Sequence, residues 1–459
     1  DNTTTDTNGT IAIGYQALFS LTTGQYNTAI GYESMIYQTD GDKNTTLGYK
    51  AFRTADNGED DNVVIGYQSG LSQNHASTDR NVFIGSEACV GGTGARTDSI
   101  AIGYRAWGNG GSANNIGGSE NIFIGSLSGG GTWATAASDQ NTAVGYQTMA
   151  GAMNGAAYNS AFGFEALKAL TEGDYNTAIG YEAADALTTG RQNTAVGAFA
   201  LSSAQDCDRV VAIGYAASNT NLQANGDGSV AIGYAALNEH SQNLNTAMGY
   251  QSGKSVTTGG ANTGLGYNTL GGNNSNALTG DNNTTIGHQA GRELEGAADS
   301  NVLVGKNSGL NITTGANNTI VGTNAGDALV DETHNVAVGT DALGGSSLVD
   351  QTVVVGSQAG MGAMTAAADG TVLVGYAAGA AITSGADNVA IGYQAGQAIT
   401  TSNQNTIIGY QALKEHVGGG SNIAIGPNAM DQTAGTNAAT SAYNIAIGRD
   451  AMGGDWADA

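Results

Sequence analysis

One proline in 459 residues, two cysteines and only 14 lysines plus arginines leave this chain without several devices that proteins commonly use. Cys89 and Cys207 cannot make a disulfide scaffold, and six to seven repeats separate them, roughly 30 Å at ordinary strand spacing. Cys89 reads as a core residue and Cys207 as part of an insertion. The shortage of cations against 39 acids, a net charge of −25, argues against a surface made for nucleic-acid phosphates or anionic lipid. Glycine interrupts every apolar run within a few residues, so no segment is expected to span a bilayer. Catalytic constellations are missing as well. The five histidines, His75, His240, His288, His334 and His416, stand singly without metal-ligand spacing and read as solvated loop residues. Gly249-Tyr-Gln-Ser-Gly253-Lys254-Ser255 has Met248 where a phosphate loop needs glycine. Asp56, Glu59, Asp60 and Asp61 form the densest acidic cluster, but lack calcium-loop spacing and read as a solvated turn. No enzyme, metal or cofactor is expected.

What the chain has is glycine, 73 residues of it, at a fixed phase. A phrase of the form Thr-Ala-Ile-Gly-Tyr recurs 25 times between about residues 8 and 452, most often 17 residues apart and never closer than 16 or farther than 22. The phrase keeps its length while the connections vary, which is the mark of a solenoid. No linker or shift of composition divides residues 1–459, so a single continuous array is expected, and neither end carries a recognisable polar cap. With strands ~4.8 Å apart, 25 coils would make a shaft on the order of 120 Å long.

Each column of the repeat, counted from the glycine, has its own chemistry. Position −1 is apolar in every copy, with Ile in 14 and Val in seven, and position −3 is Val, Ile or Thr in all but Ser160. Those two same-facing positions predict a short strand whose −1 column, including Ile13, Ile30, Ile65, Ile179, Val321 and Ile391, fills a dry core. The middle position, −2, is expected to face out. It is Ala in 14 copies, such as Ala29 and Ala178, and elsewhere includes Phe83, Phe123, Leu303, Ile320, Leu373 and Ile407. An apolar stripe of that length calls for a sister chain to cover it. Asn at −4 in 19 copies predicts an amide ladder from coil to coil. Leu21-Thr22-Thr23-Gly24, Leu187-Thr188-Thr189-Gly190 and Ile312-Thr313-Thr314-Gly315 read as a second short strand with a glycine turn. Tyrosine follows the glycine in 14 copies; Tyr15, Tyr32, Tyr181 and Tyr393 read first as a structural ladder and second as a glycan-contact stripe. Trp107 and Trp133, in the long intervals ending at Gly125 and Gly145, read as loop residues able to contact a glycan.

Asn27-Thr-Ala-Ile-Gly-Tyr32, Asn176-Thr-Ala-Ile-Gly-Tyr181, Ser229-Val-Ala-Ile-Gly-Tyr234 and Asn388-Val-Ala-Ile-Gly-Tyr393 resemble the repeat shafts of phage tail fibres and, less closely, the β-roll heads of trimeric autotransporter adhesins. The adhesin heads use shorter coils, and their stalk and membrane anchor have no counterpart here. The resemblance implies an all-β parallel β-roll or β-solenoid of about 25 coils, a parallel homotrimer, and an extracellular setting on a virion tail fibre or cell-surface appendage. It also implies a structural role, projecting or forming a surface that binds a glycan or protein receptor on a host. A filament built by end-to-end stacking of solenoids is the alternative. Ice binding ranks low, because the Thr column is mixed with Val and Ile and is expected to point inward.

Overall fold

In the computed structural model, residues 7–453 are described except 57, 74, 93, 109–116, 134–135, 220–226, 243, 272–275 and 432–440. Parts of the four widest connections and of both ends of the chain, and with them any cap there, lie outside these residues. The described residues form two compact units, Asp1–Ser229 and Val230–Ala459. Each is an all-β parallel β-solenoid. One three-residue strand comes from each phrase, from Ile11–Ile13 to Val211–Ile213 in the first unit and from Val230–Ile232 to Ile445–Ile447 in the second. Among the described residues there is no α-helix, only a single 3₁₀ turn at Ala366–Ala368.

Register follows the phrase. Thr28 pairs with Thr45, Ala29 with Thr46 and Ile30 with Leu47, and the same column-to-column pairing is kept whether the coil has 16 residues or 22. The ladder continues past the strand: Gly31 donates its N–H to Ile13 O at 2.8 Å and Glu33 to Tyr15 O at 2.8 Å. Three positions per coil then turn left-handed, the +4 one often glycine but the others seldom, as at Tyr26 (φ 57°), Glu33 (φ 50°) and Met35 (φ 48°). Such residues cost roughly 1–2 kcal/mol each. The inter-coil bonds offset this, since Met35 N–H reaches Ala51 O at 3.1 Å and Tyr26 N–H reaches Asn8 O at 2.8 Å.

The Leu-Thr-Thr-Gly segments are not second strands. Leu21–Gly24, Leu187–Gly190 and Ile312–Gly315 run as bends, held by bonds such as Thr22 N–H to Thr39 O at 2.7 Å. Among the described residues, ladder pairing on this side is limited to Thr78–Asp79 with Arg96–Thr97 and to bridges joining Val256, Leu278 and Gly296. Cross-coil threonine hydroxyls, such as Thr188 Oγ1 to Gln205 O at 2.8 Å, do the work that a second sheet would do.

The interior is the reverse of the expected one. Ala29, Phe83, Phe123, Ala178, Leu303, Ile320, Leu373 and Ile407, expected at an inter-chain interface, are all fully buried within their own coils. Ile13, Ile179 and Ile391, expected in the core, are 58%, 43% and 38% exposed, and Ile30, Ile65 and Val321 are half-buried. The physical reason is cross-section. A coil this short encloses room for one strand side chain, at −2, beside the Asn at −4 on the same face, and both must share space with the column four after the glycine. Where −2 is alanine, +4 is large in most copies, as in Ala29 with Met35, Ala101 with Trp107 and Ala143 with Met149. Where −2 is large, +4 is often glycine: a Cβ added at Gly129 would lie 2.6 Å from Phe123, and one at Gly379 would lie 2.6 Å from Leu373. The pair of bulky β-branched columns, −3 and −1, is therefore turned outward.

Candidate interaction face and polar edge

Because −3 and −1 point out, each unit presents a continuous apolar strip of Thr, Val and Ile along its sheet, and no −1 residue of a described strand is buried. The tyrosine column borders it. Tyr15, Tyr32, Tyr49 and Tyr67 stack in series with ring centroids 5.1, 5.3 and 5.4 Å apart and planes within 17°. Phe164 and Tyr181 stack at 5.0 Å, and Tyr376, Tyr393 and Tyr410 at 5.2 and 5.3 Å. The structural ladder expected of Tyr15, Tyr32, Tyr181 and Tyr393 is present. Inside a run, as at Tyr32, Tyr49 and Tyr393, both faces of the ring are covered by neighbouring rings, so only edges and hydroxyls remain outward there. Beside the first run, Arg53 Nε donates to Glu33 Oε2 at 2.8 Å and holds that carboxylate below its ordinary range.

Trp107 and Trp133 are not surface residues; both are fully buried. Trp107 occupies the +4 interior column, 5.4 Å from Trp133 and 5.5 Å from Phe123, in an aromatic cluster that also takes in Phe83. The guanidinium of the buried Arg96 sits 5.1 Å over the Trp107 ring, donates to Gln73 Oε1 at 2.5 Å and to Gly91 O at 3.1 Å, and desolvation lowers its proton affinity. Cys89 is buried in the +4 column as expected, and burial pushes its thiol up to about 11. Cys207 lies in the interior too, in the −7 column that Gly173 and Gly190 fill in neighbouring coils.

Two histidines leave the solvent as well. His240 and His416 sit in the +7 interior column that Leu187, Ile312 and Ile399 fill elsewhere, and burial lowers His240 to about 4. His288 and His334 are exposed and His75 is half-buried. The acidic turn is only partly solvated. Glu59 points inward from the −7 column, and desolvation raises its carboxyl to about 7. Among the described residues no group of three His, Cys, Asp or Glu could hold a metal ion, and no helix is long and apolar enough to cross a membrane.

The Asn ladder is real and more complete than the amide stack expected of it. Asn176 donates both its N–H (2.9 Å) and its Nδ2 (3.1 Å) to Asn159 Oδ1, and its Nδ2 also reaches Gly190 O at 2.8 Å. A second ladder escaped sequence reasoning. Asp at −6 accepts the backbone N–H of the same column one coil back: Gln25 to Asp42 (2.7 Å), Asp42 to Asp60 (2.6 Å), Asp60 to Asp79 (3.0 Å), and likewise Gly260 to Asp281 (2.6 Å) and Asp281 to Asp299 (2.6 Å). The signal was present as an acid or Asn recurring six residues before the glycine, hidden by the longer loops. Along this edge lie the shallow grooves of the surface, lined by residues such as Asn403 and Gln404, Asp281 and Asn282, or Asp139 and Gln140.

No family model matches this chain, and no curated protein is detectably similar to it.

Proposed function

We propose that the chain is a non-enzymatic extracellular fibre shaft, of the phage tail-fibre or adhesin kind, in which sister chains, most simply three in parallel, cover one another's Thr/Val/Ile strip. The observation that carries this is the outward −3 and −1 pair: a strip two side chains wide over a dozen strands is on the order of 600 Å² per unit with its tyrosine border, at the upper end of what monomers expose. A stable interface takes about 800 Å² from each partner. The role is mechanical. Stacked coils bonded through backbone, Asn and Asp ladders make a stiff spacer, and a receptor-binding element would be projected by it. Electron microscopy of the purified chain tests this: straight, unbranched shafts of constant width agree with it, and compact particles contradict it.

A second reading has one observation in its favour. The −3 threonines, among them Thr28, Thr45, Thr177, Thr194, Thr246 and Thr263, point outward and not inward, so an ordered hydroxyl array faces water. Val211 and Val302 interrupt it, which weakens a match to ice. Thermal hysteresis in the purified protein would favour this reading over the fibre.

A further inference from the structure

We propose that the interior around Arg96 binds one small monovalent inorganic anion, of the halide or nitrate class, through the guanidinium and the neighbouring indole N–H groups. Arg96 is fully buried. An arginine in that position is ordinarily paired with an acid, because an uncompensated charge in the interior is strongly unfavourable.

No acid takes that role. Thr78, paired in register with Arg96, and Gly118 occupy the adjoining rungs of its column. Glu59 lies two rungs back and accepts the Asp56 N–H of its own turn at 3.4 Å. The neighbouring surface acids are engaged outside: Asp98 by Arg80 at 2.6 Å, Glu87 by Arg105 at 2.6 Å and Asp139 by the Ser119 N–H at 2.7 Å. Among the described residues Cys89 is the one titratable side chain that acts on the charge of Arg96, and its thiol, pushed up to about 11 by burial, is neutral at ordinary pH.

The hydrogen bonds carry the same sign. Nη1 is taken by Gln73 Oε1 and Nη2 by Gly91 O. Gln73 is itself held, its Nε2 donating to Cys89 O at 2.6 Å and to Gly91 O at 3.2 Å, so the planar fork is fixed in place. Arg96 Nε has no acceptor. Neither has Trp107 Nε1 or Trp133 Nε1, and all three side chains are fully buried. They belong to one cluster, with the guanidinium 5.1 Å from the Trp107 ring centroid and the two indoles 5.4 Å apart. The buried Thr78 hydroxyl, on the rung before Arg96, is unpaired too and able to donate. Four unpaired donors thus accompany one uncompensated positive charge, the inverse of a cation site. Buried polar groups are satisfied by protein, water or an ion. Water would serve the donors but leave the charge, whereas an anion answers both. A single charge calls for a monovalent ion, and the aromatic wall disfavours the strongly hydrated sulfate and phosphate.

The test uses the full chain, unfolded in urea and refolded in sodium chloride or in sodium gluconate of equal ionic strength, so that the buried site loads as the coils close. The melting temperature should be higher in chloride by at least ~2 °C, and bromide or nitrate should replace chloride. Arg96→Met should abolish the difference, and Arg105→Met, on the surface, should keep it. Crystals grown in sodium bromide decide the matter without a variant, an anomalous peak beside Arg96 Nε being the expected result. Equal melting in chloride and gluconate, a chloride effect that survives in Arg96→Met, or bromide peaks confined to the surface would overturn the assignment.

Discussion

At the scale of single residues, the marker glycine is set by contact with its own copy in the next coil. Gly180 has φ +144°, and a Cβ there would stand 2.5 Å from Gly197 O and 2.6 Å from Gly197 C. Neither the dihedral nor the space admits a side chain. Gly180→Ala should cost about 2–4 kcal/mol, read as a lower urea midpoint. Glu59 gives a pH-dependent counterpart. Its folded-state carboxyl, raised to about 7 from 4.5 by burial, binds protons more tightly than in the unfolded chain, so its contribution is full below about pH 4.5 and is lost as pH rises toward 7. The span corresponds to on the order of 3 kcal/mol. Glu59→Gln should remove that slope, and melting temperatures of the two proteins should converge at pH 5 and separate at pH 8, the variant being the more stable there. His240 acts with opposite sign: lowered to about 4, it withholds stability below pH 6.5 and supplies it fully above.

At the scale of the coil, the Asn rung is a shared bond. Replacing Asn176 by alanine strands the buried Asn193 N–H, which it accepts at 3.0 Å, and the Gly190 carbonyl, for a loss of about 2–4 kcal/mol in unfolding free energy. Asn176→Ser should cost less, since Ser99 takes part in the same column, its Oγ accepting the Asn121 N–H at 3.1 Å. How much of this was legible in sequence depends on the column. The strand, the coil length, the Asn rung and the tyrosine stack each follow from one recurring residue type. Facing did not, because hydrophobicity alone favours Ile30 over Ala29 for an interior, and a three-residue strand offers no longer alternation to correct it. A better signal lay in paired columns: Phe123 with Gly129, Leu303 with Gly309 and Ile320 with Gly326 against Ala29 with Met35 and Ala143 with Met149 exchange volume, as two side chains do only when they share one cavity. Ala178 with Ala184, Ala212 with Ser218, Ala247 with Gly253, Ala390 with Gly396 and Ile407 with Leu413 break the pairing, and for the last Gly396 of the preceding coil makes the room, its added Cβ falling 2.9 Å from Ile407. Trp107, Trp133, Cys207, His240 and His416 were misplaced for a related reason: each was judged by residue type or loop length and not by its phase from the glycine.

At the scale of the whole molecule, the outward strip and the net charge of −25 pull in opposite directions. Apolar burial favours association, while like charge on every copy opposes it and is screened over about 10 Å at 0.1 M salt. Association should therefore strengthen as sodium chloride is raised, the reverse of an ion-pair interface, which sedimentation at several salt concentrations would register. Ile179→Lys, on the strip, should separate the copies yet leave the coils folded by circular dichroism, whereas Ala178→Lys, one residue away and buried, should unfold its coil. Most direct is the mass of the native protein by light scattering across a range of concentrations. A closed assembly at a small multiple of 45.8 kDa, three copies on the simplest arrangement, is the predicted result; a lone 45.8 kDa species that persists in high salt with its strip in water would contradict it.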